Sequence, residues 1–535
     1  MSKESQIIDM LWALKRAYEK HSPEPQRVNF TKVVKNADSR DKFIKQAAQS
    51  PIAEVSRLAR QLERVDFSQV NLDSQAAAAF ETQSASAGLS NPIPTPATPK
   101  QPPKIGLYVL GGGFAALIIG VTLFFFPMGS ETIKGTLTGN VVLDGGTYKL
   151  QGIVYVSARS NLEIQPGTTI VGEPGSALVV SRDATIYAQG TPEEPIVFTS
   201  SQPEGQRKPG DWGGVVLLGN APTNVANPTI EGVRDPRIIT NFGGNDVFSN
   251  CGVLEYVRVE FAGYEAFANN ELNGLTLGGC GKNTIIRHVQ VHRSLDDGIE
   301  MFGGTADLKN ILITGAGDDS LDWDMGWTGH VQFLIIQQHK DTGDNAFEGD
   351  NQQNNEDAKP RSAPSIYNAT LISHIDSPEK HRAMVIRRGS GGQFHNMLIT
   401  GFSNEAIDLR GDNVDRLIGS GELNFSNILL YKIGSAGLYF SQEEGADDDD
   451  QGFSEVDYFS DPERNTIYDA SPGLPVLAFS ETRPNFIPAA NSIATEHARK
   501  PPQDEFWDEG ANYLGAIRPG SAQSWTDGWT AFPPN

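Results

Sequence analysis

Asp297-Gly298-Ile299-Glu300, Asp319-Ser320-Leu321-Asp322 and Asn345-Ala346-Phe347-Glu348 repeat one short pattern: polar, small, apolar, acidic. The same slot is filled by Asn273-Gly274-Leu275-Thr276 before them, and by Arg382-Ala383-Met384-Val385, Glu405-Ala406-Ile407-Asp408 and Ala436-Gly437-Leu438-Tyr439 after them. A second pattern alternates with the first: Tyr256-Val257-Arg258-Val259, His288-Val289-Gln290-Val291, Asn310-Ile311-Leu312-Ile313, Phe333-Leu334-Ile335-Ile336, Asn396-Met397-Leu398-Ile399 and Asn427-Ile428-Leu429-Leu430. The small residue returns at 274, 298, 320, 346, 383, 406 and 437, with longer steps where loops intervene. A period of about 20–30 residues built from short β-rich pieces is the signature of a solenoid. Strands this short cannot bury an apolar face alone, so each coil must stack on the next. The pattern predicts a right-handed parallel β-helix.

Alternation along a strand then sorts the side chains. Ile299, Leu321, Phe347, Met384, Ile407 and Leu438 should point inward, while Glu300, Asp322, Glu348, Val385, Asp408 and Tyr439 point outward. Phe302, Asp324, Asp350, Arg387, Arg410 and Ser441 share the outer face two residues further on, whereas Trp323 should point inward. Stacked coils lie about 4.8 Å apart, close enough for Asp322 and Glu348, and Asp324 and Asp350, to repel. Such carboxylates share a proton, bind a cation or take a salt bridge from the next coil. Arg387 and Arg410 offer the bridge. Asp322, Asp324, Glu348 and Asp350 offer a calcium-type site of hard oxygen ligands. The ligand-binding candidates are therefore Glu300, Asp322, Asp324, Glu348, Asp350, Arg387 and Arg410. Asp296, Asp297, Asp318 and Asp319 precede the strands and suit turn caps or side-chain ladders. Polar insertions at 349–357 and 443–450 are expected to form either a binding rim or mobile acidic loops. The histidines fall at different coil positions, without the spacing of a metal triad.

The flanking sequence adds three segments. Residues 1–70 read as a small helical domain, with Ile7, Ile8, Leu11, Leu14 and Tyr18 along one face and Ile52, Val55, Leu58 and Leu62 along another. Residues 71–104, rich in Ala, Ser and Pro, read as a flexible linker. Residues 105–127 contain an uncharged run from Ile105 to Phe126, which at ~1.5 Å per residue would span a hydrocarbon core of roughly 30 Å. Residues 1–104 carry 15 Lys+Arg against 11 Asp+Glu, and the rest is net −27. The positive-inside rule thus places the N-terminus in the cytoplasm and residues 128–535 outside, in the periplasm or extracellular space. A net charge of −23 disfavours a nucleic-acid partner. Cys251 and Cys280 flank one coil. They fit either a disulfide formed outside the cytosol or two buried thiols.

Several stretches resemble bacterial secreted and surface proteins with right-handed β-helices, the pectate-lyase-like superfamily. They are Leu162-Glu163-Ile164-Gln165-Pro166-Gly167-Thr168, Ala188-Gln189-Gly190-Thr191-Pro192, Gly210-Asp211-Trp212-Gly213-Gly214 and Trp525-Thr526-Asp527-Gly528-Trp529. The resemblance speaks to fold more than to activity. Its lyases and hydrolases line a sugar groove with acids and arginines, which would make Asp322, Glu348, Arg387, Asp408 and Arg410 the catalytic candidates and Ca2+ the cofactor. The expected role is a membrane-anchored scaffold or binding protein for a glycan or surface protein, with residues 1–70 docking a cytosolic partner. A polysaccharide lyase or glycoside hydrolase is the alternative.

Overall fold

A computed structural model describes residues 37–50, 52–65, 131–233, 238–267, 270–434, 437–440 and 449–535, with isolated positions at 7, 10, 11, 14, 18, 33 and 67. The expected linker and membrane span at 71–104 and 105–127 lie outside these residues. Among the described residues no helix is long and apolar enough to cross a membrane. The chain divides into two compact units, residues 1–129 and 130–535.

In the first unit, helices Ala37–Ala48 and Ala53–Leu62 form around Ile7, Leu11, Leu14, Phe43, Ile44, Val55, Ala59 and Leu62, all buried. Tyr18 closes this core edge-on against Phe43 and accepts a hydrogen bond from Gln46.

In the second unit, 23 strands join in one parallel ladder, consistent with the right-handed connections that parallel strands favour. The short strands Leu275–Gly278, Ile299–Phe302, Leu321–Asp324, Asn345–Gly349, Arg382–Ile386 and Glu405–Leu409 stack into one face. The long strands Gly252–Glu260, Ile285–His292, Asp307–Thr314, His330–Gln337, Ser365–Ile372, Gly392–Thr400 and Leu423–Tyr431 supply the rest of each coil. Every long strand turns a corner at a left-handed residue: Tyr256, His288, Asn310, Phe333, Asn368, Asn396 and Asn427, with φ between 49° and 62°. Asparagine fills four of these seven corners because its short polar side chain tolerates that conformation best among non-glycine residues.

The core is a set of columns. Leu178, Val215, Leu275, Ile299, Leu321, Phe347, Met384 and Ile407 follow one another in register, all buried. Burying each such side chain contributes roughly 1.5–3 kcal/mol. The recurring small residue has a steric origin. A Cβ on Gly274 would lie 2.4 Å from Val291, and one on Gly298 would lie 2.4 Å from Ile313. The long-strand side chains therefore fill the space that a larger corner residue would need. Trp323 points inward as expected and donates to Ser390 across the core (2.9 Å). Cys251 and Cys280 form a disulfide in this structure.

Leu438 departs from the expectation. It is 63% exposed, and no strand forms at 437–440. The short-strand ladder ends at Glu405–Leu409, and the inward position passes to Phe440, which stacks on Phe459 (4.8 Å). Tyr439 lies beside Tyr468 and Asp469, and Ser441 is outside the described residues. The insertion at 349–357 is packed: Asn351 donates to the carbonyls of Glu356 and Ala358 and accepts from Ser362 N–H. Most of the insertion at 443–450 lies outside the described residues.

After the last coil, residues 470–535 run back over the outer side of the long strands as a strap. Leu312, Ile335 and Ile372 pack against Ala478, Phe486, Ala516 and Ile517, and Leu398 and Leu429 against Ala494 and Leu514. Side-chain amides hold the main chain of the strap. Gln290 both donates to and accepts from Ala531, Asn396 does the same with Arg499, and Asn368 donates to Ala511 and Tyr513.

Gly349 lies in register with Trp323, and a Cβ there would come within 2.3 Å of the indole. Gly349→Ala should therefore destabilise the β-helix by about 1–3 kcal/mol in chemical denaturation. Adding Trp323→Leu should make the two losses less than additive. Strictly additive losses would rule out this contact as the cause.

Candidate functional site

The outer column of the short-strand face runs Val179, Val216, Thr276, Glu300, Asp322, Glu348, Val385, Asp408, each in register with the next. A β-helix obliges this: an outward residue on one coil sits above the outward residue of the last. The column changes character along the axis. At its N-terminal end Val179, Val216, Leu218 and Phe302 are roofed by Ile230, Phe242 and Leu272 from the chain between the strands 215–218 and 275–278. Phe302 thus lies on the expected outer face but is buried there.

At the other end arginines neutralise the acids. Arg387 pairs with Glu348 and bonds Asp350 through Nε at 2.8 Å, while Arg388 reaches Asp350 at 2.6 Å. Arg410 places Nε 3.0 Å from both Asp408 oxygens and 3.5 Å from Asp449. Arg382 bonds Glu405 at 2.8 Å and lies 3.2 Å from Asp408. The expected bridge from one coil to the next is present, and it engages Glu348 and Asp350 of the four residues expected to share a calcium-type site.

Between roof and arginines lies a different set of acids. Asp297, Glu300 and Asp322 each place a carboxylate oxygen within 4.8 Å of the other two, and Asp296, Asp297 and Asp318 do likewise. Burial first, and the neighbouring carboxylates second, hold Asp297, Glu300, Asp319 and Asp322 well above the usual carboxylate range. Asp324 is pushed up to about 7, mainly by burial and then by Asp350. Asp297 and Asp319 also form the ladder expected of corner residues. Asp297 Oδ1 accepts the Asp319 N–H (3.0 Å), and Asp319 Oδ1 accepts the Asn345 N–H (2.8 Å).

The oxygens suit a hard cation. Two ligands on opposite sides of a calcium-type ion at 2.3–2.6 Å lie about 5 Å apart, the scale of this cluster. Asn273, 3% exposed, donates through Nδ2 to Glu300, and its Oδ1 is buried without a partner. Asp322 Oδ1 is likewise sealed from solvent and unpartnered. A buried oxygen acceptor with nothing to accept is costly, on the order of 1–3 kcal/mol. A cation bound by Asp297, Glu300, Asp322 and the Asn273 amide oxygen would relieve both atoms.

Alternation along the strands places Glu300 and Asp322 on one face, whereas position alone marks Asp297 as a turn cap and gives Asn273 no role. The available signal was spacing: Asn273, Asp297 and Asp319 each precede an outward Thr276, Glu300 or Asp322 by three residues. Corner and strand acids of adjacent coils can converge at that offset.

A family model described as a pectate-lyase-like β-helix domain matches residues 135–456. No curated protein and no solved structure matches. The match covers more than half of the chain and contains the entire acid and arginine column, so the chain belongs to the pectate-lyase-like β-helix family.

Proposed function

We propose that this chain is a binding protein whose β-helix captures an acidic glycan through a calcium-type cation held by Asp297, Glu300 and Asp322, with the Asn273 carbonyl as a fourth ligand. The span at 105–127 anchors it to a membrane, the β-helix lies outside, and residues 1–70 dock a cytosolic partner. What supports the cation reading most is the pair of buried, unpartnered oxygens on Asn273 and Asp322 beside three mutually close carboxylates. A bound cation with open coordination positions would bridge to uronate-type carboxylates, while Arg388, one-third exposed, reaches Asp350 on the same face.

Catalysis by β-elimination is the second reading, and the geometry disfavours it. Arg387 would have to give up a proton to act as base. Glu348 and Asp350 instead hold its guanidinium above its ordinary range, against the downward push of burial.

Calcium titrated calorimetrically into the chelator-stripped full-length chain should bind, and Asp322→Asn should weaken that binding by roughly tenfold, as expected for loss of a charged ligand. Glu348→Gln, whose carboxylate is engaged by Arg387, should change it little. Retention on immobilised polygalacturonate should need calcium, and retention on a neutral glucan should stay low. Absence of calcium binding, or equal binding by Asp322→Asn, refutes the assigned ligands. Unsaturated products that vanish in Arg387→Ala would reverse the choice between binding and turnover.

The acid cluster also sets a pH dependence. Folded carboxyls raised above their unfolded values stabilise fully at pH below about 4 and lose that contribution as pH rises through the folded values. For Asp324 the loss centres near pH 7. In calcium-free protein the raised carboxyls of this cluster should therefore contribute less to stability at pH 8 than at pH 5. The stability of Asp322→Asn relative to the wild-type chain, measured by chemical denaturation, should accordingly be higher at pH 8 than at pH 4. A stability difference between the two chains that does not change between those pH values would contradict this account.

A further inference from the structure

The histidines gather where the strap crosses the long strands. His292 is fully buried, with Nδ1 2.7 Å from the Thr314 hydroxyl and Nε2 3.0 Å from the carbonyl of Pro533 in the strap. His339 is 2% exposed, and neither ring nitrogen has a hydrogen-bond partner. Its ring lies 6.0 Å from that of His292, and its Nδ1 lies 3.6 Å from Glu481, a strap residue. His374 packs edge-on against Phe479 of the strap (6.1 Å), with Nε2 buried and unpartnered. His288 meets Trp529, and His330 meets Phe506 and Trp507, all from the strap.

Burial, with arginines beside His292 and His339, disfavours imidazolium ions at this seam. His292 faces Arg258 and Arg293 as well as His339, and His339 faces Arg293, His292 and His374. His374 faces Glu481, Asp376 and Asp341 together with Lys340, whose ammonium is held by Asp376 at 2.5 Å. Glu481 is shared in turn with Arg293 at 3.6 Å. It is the acidic group closest to His339, and an arginine already draws on it.

We propose that the strap of residues 470–535 is an acid-released latch, which lifts from the long-strand face when His292, His339 and His374 take up protons while the coils beneath stay stacked. The inference goes beyond glycan binding and does not depend on it. Release uncovers the apolar row Leu312, Ile335, Ile372, Leu398 and Leu429.

The direction follows from linkage. Burial lowers His292 to about 3, and lowers His339 and His374 from the usual imidazole value of 6.5. A group whose folded value is depressed in this way stabilises above its unfolded value and loses that contribution as pH falls. At pH 5 the penalty from His292 alone is roughly thirtyfold in the closed-to-open ratio. The coils beneath are joined by main-chain strand ladders, which carry no titrating group.

Hydrogen exchange of the full-length chain at about pH 7.5 and about pH 5, corrected for the intrinsic exchange rate, tests the latch. Protection of residues 476–535 should fall at least thirtyfold at the lower pH, with that of strands 307–314, 330–337 and 365–372 retained. The triple variant His292→Gln, His339→Gln and His374→Gln should lose most of that pH dependence. Glu481→Gln, at a one-third exposed position, should move release to higher pH while leaving the fold intact. Strap protection unchanged between the two pH values would overturn the proposal. So would strap and coils opening together, or an undiminished pH response in the triple variant.

Discussion

Each coil sets its residues above the equivalent residues of the coil before, about 4.8 Å away. On the inside that constraint is favourable, because apolar columns such as Ile299, Leu321, Phe347 and Met384 gain burial at every step. On the outside the same geometry sets carboxylate against carboxylate, because Glu300, Asp322 and Glu348 occupy equivalent positions. The regularity that stabilises the core thus concentrates charge on the face.

The molecule resolves that charge differently along its axis. Apolar side chains of an inserted segment cover the first coils, where the outward residues are Val179 and Val216. Arg387 of the next coil neutralises Glu348 and Asp350, and Arg410 of the same coil neutralises Asp408. The middle stretch keeps a cluster of acids whose protonation is strongly favoured by burial and mutual repulsion, and there a cation would do most. The binding reading rests on this local contrast and not on the acidity of the chain as a whole.

The strap meets the opposite problem, how to hold an irregular chain against a regular surface. Its main chain has few strand partners, so amide side chains at Gln290, Asn368 and Asn396 take over the role of a neighbouring strand. Asn368 and Asn396 are also corner residues in the left-handed conformation, so each serves both the turn and the strap. The histidines at the same seam add a group whose charge, unlike that of an amide, changes near neutral pH.

Period, parity and the inward or outward facing of the strand residues were legible in the sequence, because alternation along a strand and repetition between coils are local properties of the chain. Trp323 inward, Asp322 above Glu300 and Arg387 within reach of Asp350 all followed from them. Leu438 was misplaced because the repeat in sequence outlasts the stack in space, and a terminal coil has no successor to enforce its register. The pairing of Cys251 with Cys280, the roof over Phe302, the convergence of Asn273 and Asp297 on the Glu300 row and the strap over the histidines were decided only by the tertiary structure. Each joins residues through inserted or terminal segments of irregular path, and no periodicity in the sequence encodes where such a segment lands.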